Sequence, residues 1–223
     1  MTFSSDSELM AWLTRNLYVA VVCDVLDSLG HRDRAVHQRL RPLDEDCCTF
    51  AGRARTIQWA PVEYVHEEDP YGLEIDAIDA LRPGDVVVHS TDYAGTNAPW
   101  GELMTTAAIQ RGAAGCVCDS RIRDTARIKR MRFPVFHAGI RPVDSKGRGL
   151  VVALDVPIRC GEVLVRPRDV VFADPDGVVV IPSELVTDAL EGAAMKAAKE
   201  SDTRRGLLEG RLLREMFSEY GVL

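Results

Sequence analysis

Much of what this sequence lacks is informative. It has no run of about 18 apolar residues, so no single segment reads as a membrane-spanning helix. Its first residues, MTFSSDSELMAWL, carry no basic stretch followed by an apolar one, so a secretory signal is not expected. None of the six cysteines forms a C-x-x-C pair, which removes zinc-ribbon and thioredoxin-type chemistry. Cys23, Cys47, Cys48, Cys116, Cys118 and Cys160 are therefore expected as reduced, mostly buried thiols of a cytoplasmic protein. Bases are in deficit, 27 against 34 acids, for a net charge of −7. A nucleic-acid surface needs clustered Lys and Arg and is not expected here. The basic cluster Arg121 to Arg132 reads as a solvated helix face. No glycine-rich nucleotide loop follows a first strand, which sets aside a methyltransferase with a Rossmann-like cofactor site.

What is present fits one globular unit. A chain of 223 residues, 46% hydrophobic and 27% charged, can bury one sufficient core without disulfides or structural metal. Ser7 to Gly30 reads as a helix, with Val19, Val22, Cys23, Leu26 and Leu29 at helical spacing and Gly30 as the stop. Residues 49–60 read as a strand, 63–72 as a loop, and Ile75 to Leu81 as a short helix. Val86 to His89 reads as a buried strand and Thr91 to Trp100 as a loop holding Gly95, Asn97 and Pro99. Gly101 opens a helix with Leu103, Met104, Ala107 and Ala108 on one face, ended by Gly112. Gly115 to Asp119 is a strand, Ser120 to Met131 a helix, and Pro134 to His137 a strand. This alternation predicts a parallel α/β core. Short strands follow at Leu150 to Ile158, Val163 to Val165, Val170 to Ala173 and Val178 to Ile181. From Ser183, a candidate N-cap, the chain reads as helical to near its end, about residues 183–220, a tail expected to pack on a neighbouring subunit.

Two strand-to-helix joints carry the candidate chemistry. At Pro99-Trp100-Gly101-Glu102-Leu103-Met104 a helix start offers free backbone N–H groups and a positive dipole end, which suit a carboxylate or phosphate. At Asp119-Ser120-Arg121-Ile122-Arg123-Asp124, arginine offers a forked donor for a carboxylate or enolate oxygen. Aspartate there offers a hard ligand for Mg²⁺ or Mn²⁺. The plainer alternatives are an ordinary glycine turn, and an Asp124 that simply pairs with Arg127 or Arg123. The joints belong to consecutive strand–helix units, so they are expected side by side at one sheet edge. Asp174-Pro175-Asp176-Gly177 reads as a hairpin turn, not as a metal site.

Trp100-Gly101-Glu102-Leu103, then Ala107-Ala108-x-x-Arg111-Gly112-x-x-Gly115, then Asp119 to Asp124, resembles a known family. It is that of class II 4-hydroxy-4-methyl-2-oxoglutarate aldolases and the regulator of ribonuclease E activity A. Asp24-Val25-Leu26, Pro83-Gly84-Asp85-Val86 and Ala173 to Pro182 extend the likeness over most of the chain. The resemblance implies an α/β fold: a single swivelling β/β/α-type domain, residues 1–223, with mixed sheets flanked by helices. It implies trimers or hexamers with active sites at subunit interfaces, and a divalent metal, Mg²⁺ or Mn²⁺, that binds a pyruvate-like 2-oxo acid.

Carried over, Asp124 would hold the metal and Arg123 the keto or enolate oxygen. The amides of Leu103 and Met104 would hold the carboxylate. Gly101 and Glu102 belong to the same loop, with Glu102 orienting a metal-bound water. Glu200 would match an acid contributed by the neighbouring subunit. The implied activity is a carbon–carbon lyase that cleaves a 4-hydroxy-2-oxo acid to pyruvate, with oxaloacetate decarboxylation through the same enolate. The alternative is a non-catalytic, protein-binding regulator of ribonuclease E. One departure stands out: where similar aldolases carry an acid three residues after the aspartate, this chain has Arg127.

Overall fold

The structure, a computed structural model, describes residues 1–91 and 97–222. Gly95, in the predicted loop, lies outside the described residues. The first helical stretch is two helices, α1 (Asp6–Asn16) and α2 (Val19–Ser28), bent by 104°. Leu17 and Tyr18 between them are extended. No helix-breaking residue stands there. The break is set from a distance: the Val19 amide donates to Asp174 Oδ2 at 2.8 Å, so α2 begins against a hairpin turn 155 residues away.

The chain then runs through β1 (Arg41–Pro42), β2 (Phe50–Pro61), α3 (Leu73–Asp79), β3 (Asp85–Ser90), α4 (Glu102–Gln110), β4 (Gly115–Ile122), α5 (Thr125–Met131) and β5 (Val135–Ile140). It continues through β6 (Gly149–Leu154), β7 (Ile158–Cys160), β8 (Val163–Val165), β9 (Val170–Asp174), β10 (Gly177–Ile181), α6 (Val186–Leu208) and α7 (Leu213–Tyr220). One mixed sheet has the order β1-β5-β4-β3-β2-β9-β10, with β6 also on β2. The parallel part, β2 to β5, is the predicted α/β core. β9, β10 and β6 add antiparallel strands, and β7 pairs with β8 apart from the main sheet. The result is a single mixed α/β domain with helices flanking the sheet.

Burial follows from the strand sequences. Val86, Val87 and Val88 are all buried, as a parallel strand covered on both faces requires. On one side α1, α2 and α6 pack Leu13, Val22, Leu26 and Leu190 against Phe172 and Ile181. On another, Trp100, Ile122, Ile128 and Phe133 close over Val87 and Cys118. The Asp174–Gly177 segment is the predicted hairpin turn, with the Asp176 amide donating to Asp174 Oδ1 at 2.9 Å. All six cysteines are free thiols. Burial pushes Cys23 and Cys48 up to about 11, and Cys47, Cys116, Cys118 and Cys160 are also raised, so none is primed as a nucleophile. No single helix among the described residues is long and apolar enough to cross a membrane.

Four further expectations are corrected. Strand β4 runs on to Ile122, so Ser120 does not open a helix; Arg121 and Ile122 pair with Gly139 and Ile140 of β5. The buried side of α4 is Thr105 and Ala108, which turns Leu103 outward, 77% exposed. The tail breaks between Leu208 and Leu213, where Gly210 takes a φ of 87°. Ser183 does not cap it: its amide and hydroxyl engage Asp169 and the Arg168 carbonyl, and α6 starts at Val186.

Candidate active site

The two predicted joints do meet. Trp100 forms a parallel bridge with Ile122, and the Arg123 amide donates to the Trp100 carbonyl at 2.9 Å. Trp100 is fully buried, stacked on Phe133 and edge-on to His89. It anchors the loop so that Gly101 starts α4 directly beside Asp124. Burial lowers His89 to about 3, so it stays neutral, and its Nδ1 accepts from Trp59 Nε1 at 2.9 Å. It is a support beneath the site, not a proton carrier.

Gly101 is required by the close approach. A Cβ there would lie 2.8 Å from Asp124 Oδ2 and 3.1 Å from Arg123 Cγ. The Glu102 amide donates to Asp124 Oδ2 at 3.2 Å, which ties the helix start to the carboxylate. The next amides, of Leu103 and Met104, belong to the first turn and have no intrahelical acceptor. Asp124 takes left-handed backbone, φ 58° and ψ 28°, before α5, a conformation that aspartate tolerates better than most residues.

A cleft of about 660 Å³ opens over these groups. Gly101, Glu102, Leu103, Met104, Arg123 and Asp124 all line it, so six of the predicted site residues share one cavity. Glu200 does not line it. On α6, Glu200 is 3.4 Å from Lys196, which also reaches Asp24 at 3.2 Å, and burial raises its carboxyl. Arg123 Nε is 3.8 Å from Asp124 Oδ2. Arg127 pairs not with Asp124 but with Glu102, at 3.5 Å.

Reading the sequence missed the opposite wall. Arg123 Nη2 is 3.2 Å from Asp144 Oδ1, so the guanidinium is held between two carboxylates. Tyr71 donates its hydroxyl to Asp144 Oδ2 at 2.8 Å, and that bond raises the Tyr71 phenol. Ser145 Oγ shares a 2.8 Å hydrogen bond with Glu74 Oε2. Glu74 is buried, and burial pushes its carboxyl up to about 7, with the charge of Asp144 adding to the shift and Ser145 and Arg123 opposing it. Glu74 lies on α3 and Asp144 in the segment between β5 and β6, and the packing of α3 against β6 brings them to Arg123.

The charge balance tells what the cleft can accept. Asp124, Asp144 and Glu102 face Arg123 and Arg127, with Glu74 near half-ionised at neutral pH. An anion entering such a cleft needs further positive charge. Among the described residues no three His, Cys, Asp or Glu stand close enough to form a metal cage. One hard carboxylate at Asp124, with water and substrate oxygens completing the shell, is a donor set that Mg²⁺ accepts.

Residues 19–180 match the aldolase/RraA family, RraA-like. The chain belongs to that family. A Halalkalibacterium halodurans relative, provisionally named a 4-hydroxy-4-methyl-2-oxoglutarate aldolase, is 32% identical over 193 residues, 86% of each chain. The crystal structure of Streptomyces coelicolor RraAS2, described as an unusual member of the RNase ES inhibitor RraA protein family, superposes with TM-score 0.79 at 30% identity. The match covers 92% of this chain and 99% of that one. A structure described as from novel cellulases of gut-associated microbes gives TM-score 0.83 at 29% identity, over 91% of this chain and 90% of that one. Names of an aldolase and of an RNase ES inhibitor family thus both stand among the proteins this chain resembles.

Proposed function

We propose that this RraA-like chain is a divalent-metal-dependent carbon–carbon lyase that cleaves a 4-hydroxy-2-oxo acid to pyruvate and a second carbonyl compound. The observation that carries the reading is the meeting of Arg123, Asp124 and the free amides of Leu103 and Met104 around Gly101 in one cleft. In this reading the two amides hold the substrate carboxylate at the helix start. Arg123 donates to the keto oxygen and holds the negative charge that grows there as the bond breaks. Asp144, on the far side of the guanidinium, keeps Arg123 aimed. Asp124 would hold Mg²⁺ or Mn²⁺, which when bound supplies positive charge to the keto oxygen.

Oxaloacetate, whose decarboxylation yields the same enolate, is a second expected substrate. Arg127, in the place of an acid in similar aldolases, offers a second cation for the distal carboxylate of such a diacid. The reading includes a homotrimer or hexamer in the cytoplasm, with Glu200 of α6 delivered to a neighbour's cleft. Leu208, Leu212 and Leu213 on the tail are exposed, which suits such packing. Pyruvate release, followed with lactate dehydrogenase, tests the reading. Activity on oxaloacetate or a 4-hydroxy-2-oxo acid is expected to need Mg²⁺ or Mn²⁺ and to be lost in Arg123→Ala. Activity that survives a chelator or that substitution overturns it.

The likeness to RraAS2 over nearly all of both chains supports a second reading, a protein-binding regulator of ribonuclease E. Capture of a ribonuclease E scaffold segment by the chain, together with no lyase activity on any 2-oxo acid, would decide for it.

A further inference from the structure

Cleavage of a 4-hydroxy-2-oxo acid leaves a pyruvate enolate whose C3 must gain a proton. Neither Arg123 nor Asp124 is suited to give one, since the first does not deprotonate in proteins and the second is tied to the Glu102 amide. On the opposite wall Asp144 is also engaged. Its Oδ1 takes Arg123 and the Ser145 amide, and its Oδ2 takes the Tyr71 hydroxyl. Glu74 is different. It is 6% exposed, lines the cleft, and among the described residues its carboxyl has one hydrogen-bond partner, Ser145 Oγ.

We propose that Glu74 is the proton carrier of this site, giving a proton to C3 of the pyruvate enolate and taking it back in the reverse direction. The inference rests on the lyase reading above. In the forward step the Glu74 O–H bond breaks, a C3–H bond forms, the enolate C–O bond becomes the ketone, and Glu74 is left as a carboxylate. The proton lost from the substrate's 4-hydroxyl, passed through solvent, restores the acid, so the cycle balances. Ser145 Oγ donates to the carboxylate or accepts from the acid, and so supports both states. A carrier must be half-protonated near working pH, and burial places Glu74 there, at about 7. The charged groups facing it are Asp144 and Arg123. The charged residue of α4, Glu102, is turned to Arg127, and β6 brings no titratable side chain.

The test is exchange of the pyruvate methyl protons in D₂O, followed by proton NMR with the Mg²⁺-loaded protein. Wild type is expected to exchange them, and Glu74→Gln to exchange at least about 100-fold more slowly. Pyruvate affinity, by calorimetry, is expected to stay within about threefold, because the carboxylate and keto contacts lie elsewhere. The wild-type chain gives a second readout that needs no variant: the exchange rate should rise with pH through one ionisation near 7. Exchange by Glu74→Gln at the wild-type rate overturns the proposal, as does a flat wild-type profile between about pH 6 and 8. A wild type that neither exchanges nor releases pyruvate overturns the lyase reading itself, and this proposal with it.

Discussion

Replacing Glu74 by glutamine should make the protein more stable at alkaline pH and leave it nearly unchanged in acid. The buried carboxyl is raised from an ordinary 4.5 to about 7. Below about pH 4.5 the folded and unfolded chains both hold the proton, and the group has no pH-dependent effect. Between 4.5 and 7 the unfolded chain releases it first, so stability falls as pH rises, and above 7 the loss is complete. A shift of that size corresponds to about 3 kcal/mol in full, most of which falls between pH 5 and 8. Glutamine cannot ionise but keeps a partner for Ser145, 2.8 Å from Glu74 Oε2. Urea denaturation of both proteins at pH 5 and pH 8 measures the difference directly. The other titrating groups are shared and cancel. Relative to wild type, Glu74→Gln should gain roughly 2–3 kcal/mol on going from pH 5 to 8, or roughly 5–10 °C in Tm for a chain of this size. Equal pH dependence in the two proteins would refute the argument, because it would mean that the folded chain already solvates the charge.

Other expectations follow from single contacts. Gly101→Ala puts a Cβ 2.8 Å from Asp124 Oδ2. It should cut pyruvate release at least about 100-fold in steady-state assays while Tm moves by less than about 4 °C. Arg127→Ala should raise KM for oxaloacetate about tenfold and leave pyruvate affinity unchanged by calorimetry, since the Arg127 guanidinium pairs with Glu102 at 3.5 Å and, among the described residues, not with Asp124 or Asp144, the partners of Arg123; equal effects on both would assign it to the pyruvate end. Asp174→Ala removes the acceptor of the Val19 amide at 2.8 Å and of the Asp176 amide at 2.9 Å. It should cost about 1–2 kcal/mol in denaturant titration, and no loss would mean that α2 does not depend on its remote cap.

The parallel core was legible because its signals are local. Val86, Val87 and Val88 form a continuous apolar run, and glycine and proline mark the turns on either side. The catalytic candidates were legible for a related reason. Gly101 to Met104 and Arg123-Asp124 are short contiguous pieces at strand-to-helix joints, and such joints of consecutive units must lie together. Where strand β4 ends was misread, since Ser120 to Ile122 carry no apolar alternation, and the pairing of Arg121 and Ile122 with β5 is a decision of the sheet. The break between α1 and α2 was also hidden, because its cause is an aspartate on a distant hairpin.

By itself, then, the sequence determined the strand–helix alternation, the anion-receptive helix start and the Arg–Asp pair. The tertiary structure decided which other groups face them. Glu74, Tyr71, Asp144 and Ser145 come from segments up to 74 residues apart and have no shared spacing. Folding α3 onto β6 places them across the cleft from Arg123, orders the pair and buries Glu74. A carboxyl's acidity depends on what surrounds it in space, and no property of neighbours along the chain fixes that.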